Sequence, residues 1–198
     1  MTFLDTLAIA MGSSWVSGIN LYAAVATLGL LGRFAHLKLP GELGVLTSWW
    51  VIGVAVGLYA VEFFADKIPL VDSAWDAIHT FIRIPAGAVL AAAAFGDFDK
   101  GVQVIALLVG GGLALSSHGA KASARVAINT SPEPASNIAA SVGEDFLAVG
   151  AMLLAWAYPV LVIVLVVAGV VVSILIIPRI VRYMRSLRSR IRKLSGPN

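Results

Sequence analysis

From Phe146 to Pro178 the chain runs for 33 residues without a charged side chain. As one helix that stretch would be about 50 Å long, well beyond the ~30 Å hydrocarbon core of a bilayer. A water-soluble domain of this size cannot hide so much apolar surface in one core. The chain must therefore be an integral membrane protein, all-α, with helices as its spans. Composition agrees, with 59% hydrophobic and 13% charged residues, where soluble domains run near a quarter charged. Pro159 cannot continue a helix without losing a backbone bond, so the turn at Ala157-Tyr158-Pro159 divides the run into two spans.

The same reading predicts about six transmembrane helices, at 3–32, 43–64, 75–95, 102–128, 132–157 and 160–178. Residues 1–178 are expected to form one transmembrane domain, followed by a basic cytoplasmic tail at 179–198. The N-terminal MTFLDTLAIAMGSSWVSG has no basic leader and carries Asp5 where a signal peptide is positive. It is read as the start of helix 1, retained in the mature protein. With no cysteine in the chain, disulfides and thiolate chemistry are excluded.

The net charge of +3 conceals two opposite regions. Residues 179–193 hold seven bases and no acid, which leaves seven bases against eleven acids elsewhere, 7 − 11 = −4. A basic stretch directly after a membrane helix is the usual orienting signal, so the tail is read as a topology anchor in the cytoplasm rather than an RNA-binding arm. Six spans then place both termini inside. Lys67, Lys121, Arg125 and the seven tail bases fall on the inner side, against Arg33, Lys38 and Lys100 outside, ten to three. The expected location is the cytoplasmic (inner) membrane.

Helices 1–3 and 4–6 read as two copies of one unit, about 1–98 and 99–178. GSSWVSGIN at 12–20 lies opposite GGGLALSSH at 110–118, which sets Asn20 against His118. Pro40 with Glu42 precedes helix 2 as Pro132 with Glu133 precedes helix 5. Two three-helix units in one chain have opposite orientations, the inverted repeat of many transporters and channels. The Gly- and Ser-rich centres of helices 1 and 4 let those helices break, exposing backbone groups and dipole ends to an ion or solute. Close helix packing through small residues is the plainer use of the same residues.

Two polar islands interrupt the apolar sequence. In EFFADKIPLVDSAWDAIHTFIRIP, residues 62–85, Glu62 and Asp66 share a helix face, and Asp72, Asp76, His79 and Arg83 form one stripe at spacings of 4, 3 and 4. In residues 116–145, Lys121 and Arg125 share a face, while Asn137, Ser141 and Glu144 share another beside Asp145. Ser131, Pro132 and Glu133 read as a helix cap and first turn. An ionisable group inside a membrane span is costly and must pair, face water or bind an ion. The candidate pathway residues are thus Asn20, Glu62, Asp66, Asp72, Asp76, His79, Arg83, His118, Lys121, Arg125, Glu144 and Asp145.

EFFADKIPLVDSAWDAIHTFIRIPAG and KASARVAINTSPEPASNIAASVGED resemble the signature stretches of a bacterial membrane family, domain-of-unknown-function family 4126. The likeness covers nearly the whole chain except the basic tail. It implies that this cytoplasmic (inner) membrane is a bacterial one, and it implies no activity. A looser likeness links Glu62-Phe-Phe-Ala-Asp66-Lys67 to the Glu-x-Gly-Asp-Lys motif of cation/proton exchangers built from inverted three-helix repeats. The spacing here is one residue longer and the Gly is absent, so no function is carried over.

The expected function is a transporter or channel for a small ion or small polar solute, with charged half-sites meeting at the repeat interface. The same residues would also suit a structural or accessory subunit whose charges fix helix register. A membrane enzyme acting on lipid headgroups would use His79 or His118 as a base, but no nucleophile elbow, metal-spaced His pair or phosphate loop supports it. No catalytic residue, cofactor or nucleic-acid partner is expected. The partners are the lipid bilayer, the ion or solute and, through Gly- and Ala-rich faces, a homo-oligomer.

Overall fold

The computed structural model describes residues 1–128 and 134–194, and every regular element among them is helical. The elements are α1 (Phe3–Phe34), a 3₁₀ segment (Gly41–Thr47), α2 (Trp49–Ala65), α3 (Pro69–Ala94), α4 (Lys100–Ile128), α5 (Pro134–Ala157) and α6 (Pro159–Leu194). Five of the helices (α1, α3, α4, α5 and α6) are long and apolar enough to cross a bilayer. The 3₁₀ segment and α2 are bent by 73° between them, the geometry of a broken span or a re-entrant loop, and taken as one span they would make a sixth. The all-α membrane architecture read from the sequence is therefore the one observed.

The helix α1 is the hub and packs against every other helix. Its sequence explains why. Gly12, Ser13, Ser14, Ser17, Gly18, Ala23 and Ala24 are all buried, and such small side chains let neighbouring backbones approach closely. A Cβ on Gly18 would collide with Ser117 Oγ and the Ala114 carbonyl of α4. Ser14 Oγ donates to the Gly87 carbonyl at 2.8 Å and Ser17 Oγ to the Arg83 carbonyl at 3.2 Å, which ties α1 to α3 on either side of Pro85. At the opposite extreme α6 presents Val160, Leu161, Val164, Leu165, Ile174 and Leu175 outward, as a lipid-facing helix should.

Three boundaries differ from the sequence reading, each for a local reason. Helix 2 is not a single span over 43–64. Gly41 adopts φ +54° where a Cβ would press on Gly96 N at 2.6 Å, and the chain turns through the 3₁₀ segment and an extended Ser48 before α2 begins. Helix 3 starts at Pro69 rather than 75, because proline suits the first turn, where its missing N–H costs nothing. Helix 6 does not end at 178 but passes through Pro178 to Leu194, roughly 54 Å of helix at 1.5 Å per residue. The expected cap at Ser131, Pro132 and Glu133 lies outside the described residues.

Of the two breaks expected from the sequence, in helices 1 and 4, the first is observed and the second is not, since α4 runs as one helix from Lys100 to Ile128. Asn20 has φ −148° and ψ 96°, so the helix is interrupted at its centre. The Gly and Ser centre of α4 serves packing: a Cβ on Gly110 would stand 2.5 Å from Ala91 Cβ and 2.8 Å from the Gly87 carbonyl of α3.

Candidate functional site

The break at Asn20 exposes both kinds of backbone group, and named side chains take them up. Asn20 Oδ1 accepts from Ala23 N at 2.9 Å, which makes Asn20 the N-cap of the second half of α1. On the other side, the Ile19 carbonyl accepts from Lys121 Nζ at 3.1 Å, and the Gly18 carbonyl meets His118 Nδ1 at 3.3 Å. A cation at the C-terminal end of a half-helix is where the backbone dipole favours it. Asn20 Nδ2 reaches on to Asp145 Oδ1 at 3.2 Å.

Around this break the ionisable residues of both islands converge. Arg83 is fully buried and holds Asp76 Oδ1 at 2.7 Å and Glu62 Oε1 at 2.8 Å. Lys121 Nζ stands 3.2 Å from Asp66 Oδ2, 3.4 Å from Asp76 Oδ1 and 3.4 Å from Glu144 Oε2. Arg125 grips Glu144 with two bonds, at 2.7 and 3.2 Å, binds Asn137 Oδ1 and its carbonyl, and lies 3.7 Å from Asp72 Oδ2. Lys67 reaches Asp145 Oδ2 at 3.7 Å and Ser141 Oγ at 3.4 Å, with its ammonium over the Phe63 ring.

The cluster thus joins α2, α3, α4 and α5 around the centre of α1. It lies at the end of the bundle where α2 and α4 finish and α3 and α5 begin. From there it reaches inward to Arg83, fourteen residues into α3, about 21 Å of helix. The six carboxylates of Glu62, Asp66, Asp72, Asp76, Glu144 and Asp145 face the four bases Lys67, Arg83, Lys121 and Arg125. Fully ionised, the set carries 4 − 6 = −2. Among the described residues, Glu62 Oε2, Asp66 Oδ1, both oxygens of Asp72, Asp76 Oδ2 and Asp145 Oδ2 are buried and accept no hydrogen bond, although Asp72 Oδ2 and Asp145 Oδ2 each lie 3.7 Å from a base.

All twelve residues singled out from the sequence lie in or against this assembly, though not in equal roles. The two histidines stand at its edge. His79 stacks on Trp75, accepts or donates through Nε2 to Tyr22 Oη at 3.0 Å, and contacts the Trp75 carbonyl through Nδ1 at 2.9 Å. His118 Nε2 meets Thr80 Oγ1 at 2.7 Å. Among the described residues neither imidazole hydrogen-bonds a carboxylate. Lys121 and Arg125, counted from the sequence among bases near the inner face, are buried in α4 instead.

Five contributors were not among the twelve. Asn137 and Ser141 were legible as a face shared with Glu144. Lys67 stood in the first island but read as solvated as readily as buried. Tyr22 and Thr80 carry no signal in the sequence, since a lone hydroxyl in an apolar span usually bonds its own helix.

A small cleft opens between α3 and α4 against the cluster. It is lined by Ser73, Asp76, Thr80, Ala122, Arg125 and Val126, with a volume of about 180 Å³, roughly six waters at ~30 Å³ each. Two larger grooves, one between α1, α2 and α3 and one beside Phe95 and Phe98, are lined by apolar side chains and do not reach the charges.

Helices of this length and composition, wrapped on a broken central helix, define a multi-pass α-helical membrane protein with a buried ion-pair cluster. The chain belongs to the family described as domain of unknown function DUF4126, which it matches over residues 7–179. That match includes the whole cluster and excludes most of the basic extension of α6. No curated protein and no solved structure matches the chain.

Proposed function

We propose that the protein moves a small ion or small polar solute across the membrane, by way of the charged residues gathered at the Asn20 break. The observation that carries this reading is the position of Lys121. Its ammonium sits at once on the Ile19 carbonyl at the helix break and on Asp66, Asp76 and Glu144. A broken helix offering carbonyls beside buried charges is the usual construction of an ion or substrate site in transporters, and intramembrane charges are functional by default.

The residues of the first half (Glu62 to Arg83) and of the second (His118 to Asp145) bind one another across the bundle, as they would at the interface of two inverted repeats, about 1–98 and 99–178. In this reading the cluster end faces the cytoplasm, the basic extension of α6 leaves on the same side, and the membrane is the bacterial inner membrane. Small-residue faces left open to lipid on α2 leave room for a homo-oligomer. The competing role, an accessory subunit in which the charges only fix helix register, would be served best by a network with every charge paired and no cavity. Each of the six carboxylates does have a base within 4.0 Å, as that role requires; the adjoining cleft counts against it.

The test is charge movement in proteoliposomes on a solid-supported electrode, with rapid switches of pH and of a panel of cations and anions. Wild type is expected to give a current that Asp76→Asn and Glu144→Gln abolish. Currents identical in wild type and both variants would place the pathway elsewhere. No current and no tracer flux for any ion or solute would remove the transport reading.

A further inference from the structure

We infer that Asp66, Asp72 and Asp76 form a binding site for a divalent cation, entered through the cleft between α3 and α4. As an assignment of cargo the proposal rests on the transport reading above; as an assignment of a site it stands on the geometry of three carboxylates.

Each of the three offers an oxygen within 4.8 Å of the other two. Oxygens on opposite sides of a Ca²⁺ lie about 4.6–5.2 Å apart and adjacent ones less, since Ca–O distances run 2.3–2.6 Å. One ion of that size therefore reaches all three with little movement of the side chains. The bases already present do not use every oxygen of the three. Lys121 uses Asp66 Oδ2 and Asp76 Oδ1, Arg83 uses Asp76 Oδ1 again, and Arg125 lies 4.0 Å from Asp66 Oδ2 and 3.7 Å from Asp72 Oδ2. Among the described residues, Asp66 Oδ1, Asp76 Oδ2 and both oxygens of Asp72 remain without a hydrogen bond.

Asp72 is the decisive member. It is fully buried, and its nearest cationic group is Arg125 Nη1 at 3.7 Å, beyond hydrogen-bonding distance. A carboxylate in that position, three residues into the helix after Pro69, has lost its water without gaining a donor, which is costly. A cation repays that cost directly.

The charge of the cluster is compatible with a divalent ion. Fully ionised, its six carboxylates and four bases carry −2, which one divalent ion would bring to neutrality. The donors are hard carboxylate oxygens with no thiolate or imidazole among the three, a set that suits Ca²⁺, Mn²⁺ or Mg²⁺ rather than zinc or copper. Of the three carboxylates Asp76 lines the cleft, whose volume leaves room for waters to complete the coordination shell from that side. Lys121 occupies the opposite oxygens of the same carboxylates, so its ammonium and the ion repel, and the ion's affinity is set partly by how far Lys121 withdraws toward Glu144.

The test uses the purified full chain in detergent micelles with Mn²⁺ as the probe, free Mn²⁺ being counted by its paramagnetic resonance signal. Wild type is expected to take up a single Mn²⁺ per chain, displaced by Ca²⁺ and not by Na⁺. Asp72→Asn should weaken binding by about tenfold or more, and Lys121→Met should tighten it by about tenfold through loss of the competing charge. The exposed acid Asp99, at the other end of the bundle, serves as the control, and Asp99→Asn should bind as wild type does. Asp72→Glu, which keeps the charge and displaces the oxygens, replaces Asp72→Asn should the latter not give folded protein. Wild type without stoichiometric Mn²⁺, or an Asp72 variant that binds as well as wild type, overturns the proposal. Ion flux with no Mn²⁺ binding would sink the site and leave transport standing; stoichiometric binding with no flux of anything would do the reverse.

Discussion

Asn20 and Lys121 share the work of a single interruption in α1. The Asn20 side chain accepts from Ala23 N on one side of the break, and Lys121 Nζ donates to the Ile19 carbonyl on the other. Neither half-helix end is left to lipid, where each unsatisfied group would cost several kcal/mol. Asn20→Ala removes the cap and the bond to Asp145 together, and is expected to destabilise the protein by about 1–2 kcal/mol. Asn20→Ser keeps a capping oxygen and should recover part of that loss. Thermal unfolding of the two variants in detergent, followed by helical circular dichroism, decides the matter. Equal losses for Ala and Ser would mean that the cap contributes nothing.

The crossing of α1 and α4 makes a second expectation. A Cβ on Gly18 meets Ser117 Oγ and the Ala114 backbone, and backbone cannot step aside as a side-chain tip can. Gly112, one turn and a half earlier on α4 than Ser117, has open space within 4 Å. Gly18→Ala should therefore cost about 1–3 kcal/mol or prevent folding, whereas Gly112→Ala should be neutral or stabilise by up to about 1 kcal/mol through helix propensity. Comparing monodisperse yield and melting temperature of the two single variants checks this. A tolerated Gly18→Ala would mean that the two helices cross less closely than described.

The contrast between those two glycines marks how far the sequence could be read. Length and hydropathy fixed the helical membrane class, and helix spacing placed Asp72, Asp76 and Arg83 on one stripe because that depends only on the 3.6-residue repeat. Which of the small residues would break a helix and which would pack it was not legible. Gly18 and Gly112 look alike in sequence, and the interruption falls on Asn20, whose side chain can cap what it breaks. Nor could the sequence pair the islands, since the bonds from Arg125 to Glu144 and from Lys121 to Asp66 join different helices and depend on tertiary packing. The start of helix 3 at Pro69 was not legible because a proline just after one helix marks the end of that helix as readily as the first turn of the next.

The proposed orientation rests on the basic extension of α6, and the chain's lack of cysteine gives a clean way to test it. Ser186 is exposed on α6 at the cluster end, and Asp97 is exposed in the turn between α3 and α4 at the other. With Lys121 and Arg125 buried, the orienting excess rests on the tail bases. In right-side-out spheroplasts Asp97→Cys should react with a membrane-impermeant maleimide, and Ser186→Cys should react only after lysis. Neutralising the tail bases Arg179 and Arg182 with those at 185–193 should then expose part of the Ser186→Cys population from outside. Labelling of Ser186→Cys in intact spheroplasts of the otherwise unaltered chain would reverse the orientation.

Arg83 offers the sharpest test of what the buried charges cost and hold. It is fully buried and bridges two carboxylates from different helices, Glu62 on α2 and Asp76 on its own α3. Among contacts between α2 and α3, which pack little against each other, this bridge is therefore a principal tie. Arg83→Met strands Glu62 and leaves Asp76 with Lys121 alone, and should cost about 3–5 kcal/mol. Arg83→Lys keeps the charge but not the planar fork that reaches both acids, and should recover only part of that loss. The triple variant Arg83→Met, Glu62→Gln, Asp76→Asn removes the uncompensated charges and should regain most of the stability, because the penalty lies in the stranded acids rather than in the lost attraction. Melting temperatures of the three proteins are the measurement. If the triple variant is no more stable than Arg83→Met, the bridge itself and not the relief of stranded charge holds α2 to α3, and the two acids are then fixed in place as part of the helix packing.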